Sequence, residues 1–222
     1  MARTTPRRTG YKKSEISREQ VLDAAIDVLA KRGIAATSVQ DIADGAGLSK
    51  GAVHYHFESK DELLREVLDR CCKANEERIR AMFAKPGSSL ERVHWAMEEM
   101  WRVRRDGVRE MRVITDLHML ARQNDAIRLA CGEALRRARL QMVEVGLTEL
   151  VALGLKPRVP VEVIPRLLMA TLDGLALHQE IDPIPESSAA AVLEALEATA
   201  ISLFEVPDGY HKSNLKTGWA AK

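Results

Sequence analysis

The sequence predicts an all-α protein of about nine helices, arranged as a small N-terminal domain followed by a larger helical domain. Three observations support this fold class. Apolar residues recur at helical spacing along most of the chain. Residues that cap or end helices separate these segments. No stretch alternates between apolar and polar residues for long enough to favour a β-strand.

The composition is typical of a folded protein rather than a disordered one. Hydrophobic residues make up 46% and charged residues 29% of the 222 residues, which is enough for a sizeable core. The three cysteines lack metal-ligand spacing, so we expect free thiols in a reducing cytoplasm. No run of about 18 apolar residues occurs, and the basic start lacks the apolar region of a secretory signal, so no membrane association is predicted.

Positive charge is concentrated near the start of the chain, although the net charge of the whole is only +1. Residues 1–60 contain ten Lys or Arg against seven Asp or Glu, and residues 1–13 contain five cations and no acid. Residues 1–16 are therefore interpreted as a flexible basic arm. Such an arm suits a surface that faces phosphate, but charge alone favours a solvated tail.

Four helices are predicted within about the first 70 residues, each opening at a serine or threonine that can cap it. The predicted starts are Ser17 with Gln20, Thr37 with Gln40, Ser49, and Ser59 with Glu62, three of which have capping-box spacing. Gly33 ends the first helix, and Gly45–Gly47 breaks the second. Short helices joined by a glycine-containing turn are the helix-turn-helix signature, so residues 17–60 are predicted to form a DNA-binding domain, followed by a linking helix from about residue 60.

Residues 37–64 carry a family resemblance in the segment TSVQDIADGAGLSKGAVHYHFESKDELL. This segment, together with IDVLAKRG at residues 26–33, resembles the TetR family of bacterial regulators. The resemblance is strong over about residues 17–70 and beyond them extends only to an all-helical plan. It implies a transcriptional regulator, most often a repressor, that binds palindromic double-stranded operator DNA as a homodimer and is released by a small-molecule effector.

The third helix has the residue types that a helix needs to enter the major groove of DNA. Gly51 and Ala52 are small, so the backbone can approach the bases closely. Ser49 and Lys50 lie at the helix start, where the helix dipole also attracts phosphate. The aromatic side chains with reach to phosphates or bases are Tyr55 and His56.

The resemblance implies four further DNA contacts. Ser38 and Gln40 match positions that touch backbone or bases, and Lys60 matches a phosphate clamp. DNA contact is also carried over to His54, where the family often has tyrosine. The residues predicted to form the small core between these helices are Ile42, Leu48, Val53 and Phe57.

Residues 61–205 are predicted to form a helical ligand-binding and dimerisation domain, with residues 206–222 as a loose tail. Its helices are expected near 89–106, 109–122, 125–153, 161–181 and 187–204. The segment 164–178 is apolar nearly all round, so it packs on its own domain and on a second subunit, or lies within a large monomeric core. The candidate dimer-interface residues are Leu168, Thr171, Leu175, His178, Leu193, Leu196, Ala200 and Leu203.

The middle helices carry large adaptable side chains with a few polar groups, which suits a pocket for a partly apolar effector. The candidate pocket residues are Met97, Met100, Trp101, Arg104, Met111, Thr115, His118 and Met119. The same stripe is also expected of an ordinary core, with His118 as a hydrogen-bonded core histidine. The arginines between residues 102 and 112 form a solvated face or attract an anionic ligand.

No nucleophile elbow, Walker loop or HExxH zinc motif occurs in the sequence. We therefore predict that the protein is not an enzyme and uses no cofactor or metal. Two alternatives to an effector-controlled regulator stay open. One is a helical module whose helix-turn-helix binds protein, against which the basic arm, Lys50 and Lys60 argue. The other is a DNA-binding regulator without a small-molecule effector.

Overall fold

The computed structural model describes residues 8–206, and within them the fold is all-α, as predicted. The described part contains nine helices when the segment between residues 125 and 152 is counted as one. None of the described helices is both long enough and apolar enough to cross a membrane. The helices are α1 (Arg8–Arg32), α2 (Val39–Gly45), α3 (Lys50–His56), α4 (Lys60–Phe83), α5 (Ser89–Arg105), α6 (Arg109–Leu120), α7 (Asp125–Gln141), α8 (Thr148–Ala152), α9 (Val163–Ile181) and α10 (Glu186–Ser202).

Two short features complete the described fold. A π-helical turn, Met142–Leu147, joins α7 to α8, so the helix predicted over 125–153 is interrupted rather than regular. Two strands of two residues each, β1 (Lys156–Pro157) and β2 (Phe204–Glu205), pair in antiparallel register with Lys156 opposite Glu205. The other predicted helices of this region agree with the structure to within a few residues.

The chain divides into two compact units. Unit 1 comprises Met1–Cys71 with Arg112–Cys131, and unit 2 comprises Cys72–Met111 with Gly132–Lys222. The chain passes from one unit to the other within α4, α6 and α7. The domain boundary predicted near residue 60 lies inside unit 1, because the first half of α4 belongs to that unit.

Unit 1 has the small core that the sequence predicts between α2 and α3. Ile42, Val53 and Phe57 are at most 2% exposed, and Leu48 is half-buried. Gly45 allows α2 to approach α1 closely, because a Cβ atom at this position would lie 2.9 Å from a methyl group of Val28. Burial of these apolar side chains fixes α3 against the rest of the domain.

Glycines end α1 and turn the chain between α2 and α3. Gly33 follows the last residue of α1 with a φ of +75°, as the predicted helix stop requires. Gly47 has a φ of +66° in the turn that leads to Ser49. Other residues rarely adopt this left-handed conformation, so the tight turn of the helix-turn-helix depends on glycine.

The first helix begins earlier than the sequence predicts. α1 starts at Arg8, and Ser17 lies within it, so the predicted helix start at Ser17 is wrong. The predicted flexible arm over residues 1–16 therefore overlaps α1 from residue 8 onward. Residues 1–7, and the predicted tail from residue 207 onward, lie outside the described residues.

The cap of α2 is one residue later than predicted. The Ser38 hydroxyl accepts a hydrogen bond from the Asp41 backbone N–H at 3.2 Å, and the Asp41 carboxylate accepts one from the Ser38 N–H at 2.8 Å. Thr37 is instead buried, and its hydroxyl donates to the Gly33 carbonyl at 2.7 Å. The capping box therefore uses Ser38 and Asp41, and Thr37 closes the preceding turn.

The remaining two predicted caps are confirmed. The Ser49 hydroxyl accepts from the Ala52 N–H at 3.1 Å, which satisfies a free donor in the first turn of α3. The Ser59 hydroxyl accepts from the Glu62 N–H, also at 3.1 Å. The Glu62 carboxylate reaches back to the N–H of Glu58 at 2.6 Å rather than to that of Ser59.

In unit 2, α5 packs against α8, α9 and α10. The core of this unit consists of large apolar side chains from these helices and from β2. Its most deeply buried members are Trp101, Leu155, Leu172 and Phe204, each at most 2% exposed. Along α5 the core extends from Val93 to Trp101, and the predicted Met and Trp stripe of that helix lies inside it.

Candidate DNA-binding face and ligand cavity

One side of α3 anchors the helix, and the other faces solvent. Val53 and Phe57 are one helical turn apart and buried. We call the exposed residues of the helix, Lys50, Gly51, His54 and Tyr55, the reading face.

Tyr55 is 78% exposed, so it does not pack over the first helix and its ring is presented outward. Of the predicted DNA contacts, the exposed residues are Ser38, Gln40, Ser49, Lys50, Gly51, His54 and Tyr55, and the half-buried residues are Ala52, His56 and Lys60.

The start of α2 is held by hydrogen bonds. The Ser38 hydroxyl donates to the Asp41 carboxylate at 2.6 Å, and Arg32 Nη1 lies 2.6 Å from the same carboxylate. The bonds from the Ser38 hydroxyl and N–H, with a smaller contribution from Arg32, lower the pKa of Asp41 to about 2. The Gln40 amide donates to Asp44 at 2.7 Å. These contacts orient the first turn of α2 before any partner binds.

Two of the predicted DNA contacts are engaged within the domain. His56 Nε2 lies 2.6 Å from the hydroxyl of Ser17 on α1. The Lys60 ammonium donates to the carbonyl of Thr37 at 2.5 Å and to that of Ile34 at 3.3 Å. An ammonium has three N–H donors, so Lys60 retains one for a phosphate. Both side chains therefore hold the domain together, and their contact with DNA stays a prediction.

Unit 2 contains a cavity of about 110 Å³. Its walls come from α4, α5, α7, α8, α9 and the π-helical turn, together with Val161, Ala200 and Phe204. The π-helical turn supplies five of its six residues to the wall. Single π-helical turns inside helices occur frequently at functional sites. Apart from Asn75, Glu76, Arg104 and Gln141, every lining residue is apolar or glycine.

The cavity brings together three of the predicted pocket residues, Met97, Met100 and Arg104. Trp101 is buried in the surrounding core but does not line the cavity. The predicted residues of α6 are also absent from its wall, because α6 passes into unit 1 after Met111. These residues are Met111, which is buried, Thr115 and His118, which are half-buried, and Met119, which is 49% exposed.

The polar groups around the cavity differ in whether they are satisfied. Arg104 is 7% exposed; its Nε donates to Asp173 at 2.9 Å, and its Nη1 donates to the Met100 carbonyl at 3.0 Å. By contrast, Asn75 Oδ1 and Glu76 Oε1 are buried and have no hydrogen-bond partner among the described residues. The positive charge of Arg104 is therefore already paired, whereas the two acceptors lack hydrogen-bond donors.

Three arginines of the basic cluster in the middle helices are ion-paired with neighbours in sequence, which supports a solvated face rather than an anion site. Each pair joins an arginine to an acid nearby in the sequence. The pairs are Arg102 with Glu99 and Asp106, Arg105 with Asp106, and Arg109 with Glu110.

Sequence reasoning missed the contribution of α4 to the cavity. The residues Cys71, Asn75, Ile79 and Phe83 follow a four-residue spacing along α4, and the last three line the cavity. Asn75 is the polar member of this apolar stripe. An amide at such a position indicates a polar group facing an apolar environment, and this signal was present in the sequence.

Three predicted interface residues lie in the core of their own subunit instead. Leu168, Leu196 and Ala200 are at most 9% exposed and belong to the core of unit 2. Because α9 is apolar on two faces, its composition does not show which face points inward. Leu175, Leu193 and Leu203 are half-buried against this core. Thr171 is half-buried and its hydroxyl donates to the Leu167 carbonyl, whereas His178 is exposed.

The other face of α9 is apolar and exposed. Leu167, Leu177 and Ile181 are 42%, 37% and 77% exposed. Ala170 and Gly174 lie between them at helical spacing and are also exposed. We call these five residues the α9 stripe.

Comparisons with known proteins agree with this architecture. The model of the tetR family of bacterial regulatory proteins matches residues 21–67, which cover most of the helix-turn-helix. The repressor KstR2 of Mycobacterium tuberculosis is 47% identical over 51 residues, which are 23% of this chain. That match spans only 26% of the length of KstR2, about a quarter of it.

Two longer matches cover most of the chain. The transcriptional regulator PksA of Bacillus subtilis is 29% identical over 174 residues, which are 77% of this chain and 82% of PksA. The structure of the regulator FadR of Bacillus subtilis, in complex with stearoyl-CoA, matches with a TM-score of 0.67 at 19% identity. It covers 80% of this chain and 96% of FadR, and shows the same fold. The helix-turn-helix segment of this chain, residues 21–67, therefore matches the TetR family of bacterial regulatory proteins, and the chain is similar to a regulator over most of its length.

Proposed function

We propose that this protein is a sequence-specific DNA-binding transcriptional regulator, a homodimer that represses from a palindromic operator in the cytoplasm and is released by a small-molecule effector. The observation that carries the proposal is the reading face of α3. A rigid helix exposes a lysine, a glycine and two aromatic or imidazole rings on one side, while its other side is fixed in a core. This arrangement suits insertion into the major groove.

The chemistry of the reading face supports DNA as the partner. Lys50 lies in the first turn of α3, where a cation and the exposed backbone N–H groups can both bind phosphate. Gly51 adds no side chain between the backbone and the bases. Tyr55 and His54 extend beyond it and can contact base edges or phosphates. The exposed caps of α2 and α3 provide further donors to the backbone of DNA.

The test is selection of double-stranded DNA from a random library with the full chain, followed by titration of the enriched sequence. Tyr55→Ala and Lys50→Ala should each weaken binding about tenfold or more. Lys50→Ala should also reduce the slope of log affinity against log salt by about 1. Lys73→Ala, an exposed lysine of unit 2, is the matched control. Absence of any enriched sequence at low salt would contradict the proposal.

The α9 stripe is the proposed dimer interface. Its exposed apolar side chains are contiguous at helical spacing, and Gly174 and Ala170 allow a second helix to approach closely. The two reading faces of one dimer bind two half-sites of DNA, so their affinities combine. Because the two subunits are identical, the operator is expected to be a near-palindrome. The interface is therefore proposed on the face of α9 opposite to Leu168 and Leu172.

Sedimentation equilibrium tests the interface. The full chain should be a dimer, and Leu177→Glu and Ile181→Glu should shift it towards the monomer, because each places a charge in an apolar contact. Leu129→Glu is the matched control, since Leu129 is 68% exposed on α7 and outside the stripe. A monomeric wild type, or stripe variants as dimeric as the control, would contradict the assignment.

The cavity of unit 2 is the proposed effector site. It is mainly apolar and lined by methionines that adapt to a ligand. α4 begins in unit 1 and ends among the cavity residues, so it connects the site covalently to the DNA-binding domain. An effector that binds one conformation better shifts the population by its differential affinity, of the order of 1–3 kcal/mol. Release of the labelled operator on titration with small apolar compounds tests this part.

A further inference from the structure

We infer that the cavity of unit 2 selects an apolar molecule whose head group donates hydrogen bonds, an amine or an alcohol, and discriminates against carboxylates and phosphates. This inference rests on the proposed function, because it names the class of effector for the same cavity.

The first observation is the pair of unsatisfied acceptors on α4. Asn75 Oδ1 and Glu76 Oε1 are both buried, and neither accepts a hydrogen bond from a described residue. Both residues line the cavity. A buried acceptor without a donor carries a desolvation cost, which a donor on a bound ligand removes. The cavity therefore favours a ligand that places hydrogen-bond donors next to Asn75 and Glu76.

The second observation concerns charge. Glu76 Oε1 forms an ion pair with Arg137, whose Nε lies 3.9 Å away; this is beyond hydrogen-bond distance, so the carboxylate keeps acceptor capacity for a ligand. The Gln141 amide does not relieve it, since Gln141 Nε2 donates to the Glu76 backbone carbonyl at 2.9 Å. A carboxylate or ionised phosphate group brings no donor to the free acceptor of Glu76, whereas an ammonium or a hydroxyl does, and the ammonium adds a charge-assisted bond.

The third observation is that no cation among the described lining residues is available to bind an anion. Among the described residues that line the cavity, Arg104 alone carries a positive charge. Its guanidinium is almost completely buried and is already bound to Asp173 and to the Met100 carbonyl. An anionic ligand would have to displace Asp173 to reach it. The remaining wall is apolar, so it favours a hydrocarbon body.

The test uses four probes that share one ring: benzylamine, benzyl alcohol, benzoate and toluene. Their affinities for the full chain are measured by ligand-observed NMR titration without DNA. We expect benzylamine and benzyl alcohol to bind at least about tenfold more tightly than benzoate. Toluene should bind less tightly than benzyl alcohol, since it leaves both acceptors unsatisfied. The ratio of the benzylamine affinity to the benzyl alcohol affinity shows whether the cavity prefers a charged donor or a neutral one.

Three variants locate the effect. Glu76→Gln removes the charge and should weaken benzylamine several-fold while sparing benzyl alcohol. Asn75→Leu removes an acceptor at similar volume, so it should weaken the binding of benzylamine and benzyl alcohol relative to that of toluene. Glu77→Gln is the matched control, because Glu77 is the exposed neighbour of Glu76 on α4. Circular dichroism and the thermal midpoint of each variant show that it is folded before its affinities are compared.

Several outcomes would overturn the inference. These are benzoate binding as tightly as the two donors, toluene matching benzyl alcohol, no difference between the Glu76 and Glu77 variants, or no binding by any probe. Because these titrations contain no DNA and the operator selection contains no ligand, failure of the ligand class and failure of the DNA-binding function are separate results. Probe binding without operator release would contradict only the effector role.

Discussion

His94 on α5 and Glu197 on α10 are joined by a 2.6 Å contact between Nδ1 and Oε1, and the Glu197 side chain is only 2% exposed. The contact ties two helices of unit 2 through a buried carboxylate. The hydrogen bond that His94 donates to Glu197 raises the pKa of His94 above its usual 6.5; the charges of Glu197 and Glu98 act in the same direction, and burial opposes them.

We expect the free energy of unfolding to decrease as pH rises from about 6 to about 8.5. His94 has a raised pKa in the folded state, so its stabilising charge is fully present below 6.5 and is lost as pH rises through the raised value. Urea unfolding at both pH values measures the difference. His94→Gln should remove this part of the pH dependence, and so should Glu197→Gln. If either variant keeps the full pH dependence of the wild type, that dependence comes from other groups.

Lys60 and Lys50 should respond differently to substitution. Lys60→Met removes the ammonium donor from the carbonyl of Thr37 and leaves that of Ile34 with the Thr37 N–H as its donor, so it should lower the free energy of unfolding by about 1–2 kcal/mol. Lys50 is exposed, so Lys50→Met should change stability by less than about 0.5 kcal/mol. Both should weaken operator binding. Urea unfolding combined with DNA titration separates the roles, and an unchanged stability of Lys60→Met would show that its contacts contribute nothing.

Gly51→Ala should separate stability from recognition. A Cβ atom at Gly51 would meet Ser49 Oγ at 3.8 Å, an ordinary contact, and the residue lies within α3. Alanine favours helix over glycine by about 0.5–1 kcal/mol, so the variant should be as stable as the wild type or more stable. Its operator affinity should fall, since a methyl group stands between the backbone and DNA. Undiminished affinity would remove Gly51 from the reading face.

Substituting Asp173 should lower stability more than substituting its ion-pair partner Arg104. Arg104 is 7% exposed, whereas the Asp173 side chain is 35% exposed. Asp173→Ala leaves a buried charge unpaired and should cost about 3 kcal/mol, while Arg104→Met leaves an acid that water can reach and should cost about 1 kcal/mol. Urea unfolding of the two single variants and the double variant tests this. Equal costs would indicate that both charges reach solvent when unpaired.

The helix-turn-helix was predictable because its signals are local. Ser49, Gly47 and the buried pair Val53 and Phe57 act within a few residues of one another, so spacing alone identifies them. The cap of α2 shows the limit of such reasoning. Thr37 with Gln40 and Ser38 with Asp41 both fit the capping box, and only the burial of Thr37 against Gly33 decides between them.

The cavity and the interface were less predictable because they depend on tertiary packing. The cavity joins α4 to a π-helical turn more than 60 residues later, and no local pattern connects Asn75 with Gly146. Similarly, α9 is apolar on two faces, so the sequence does not show whether Leu167 or Leu168 points into the core. Tertiary packing decides this, and it buries Leu168. Lys60 has the residue type of a phosphate contact and yet binds carbonyls of its own domain.

The π-helical turn at Met142–Leu147 holds about one residue more than an α-helical turn of the same kind. It therefore has the form of a one-residue insertion that the helix has accommodated. Deleting a residue there would restore a continuous α-helix and rotate the side chains that follow by about 100°. Since this turn forms a wall of the cavity, related chains can change what the cavity accepts by gaining or losing a single residue, with the helices on either side left intact.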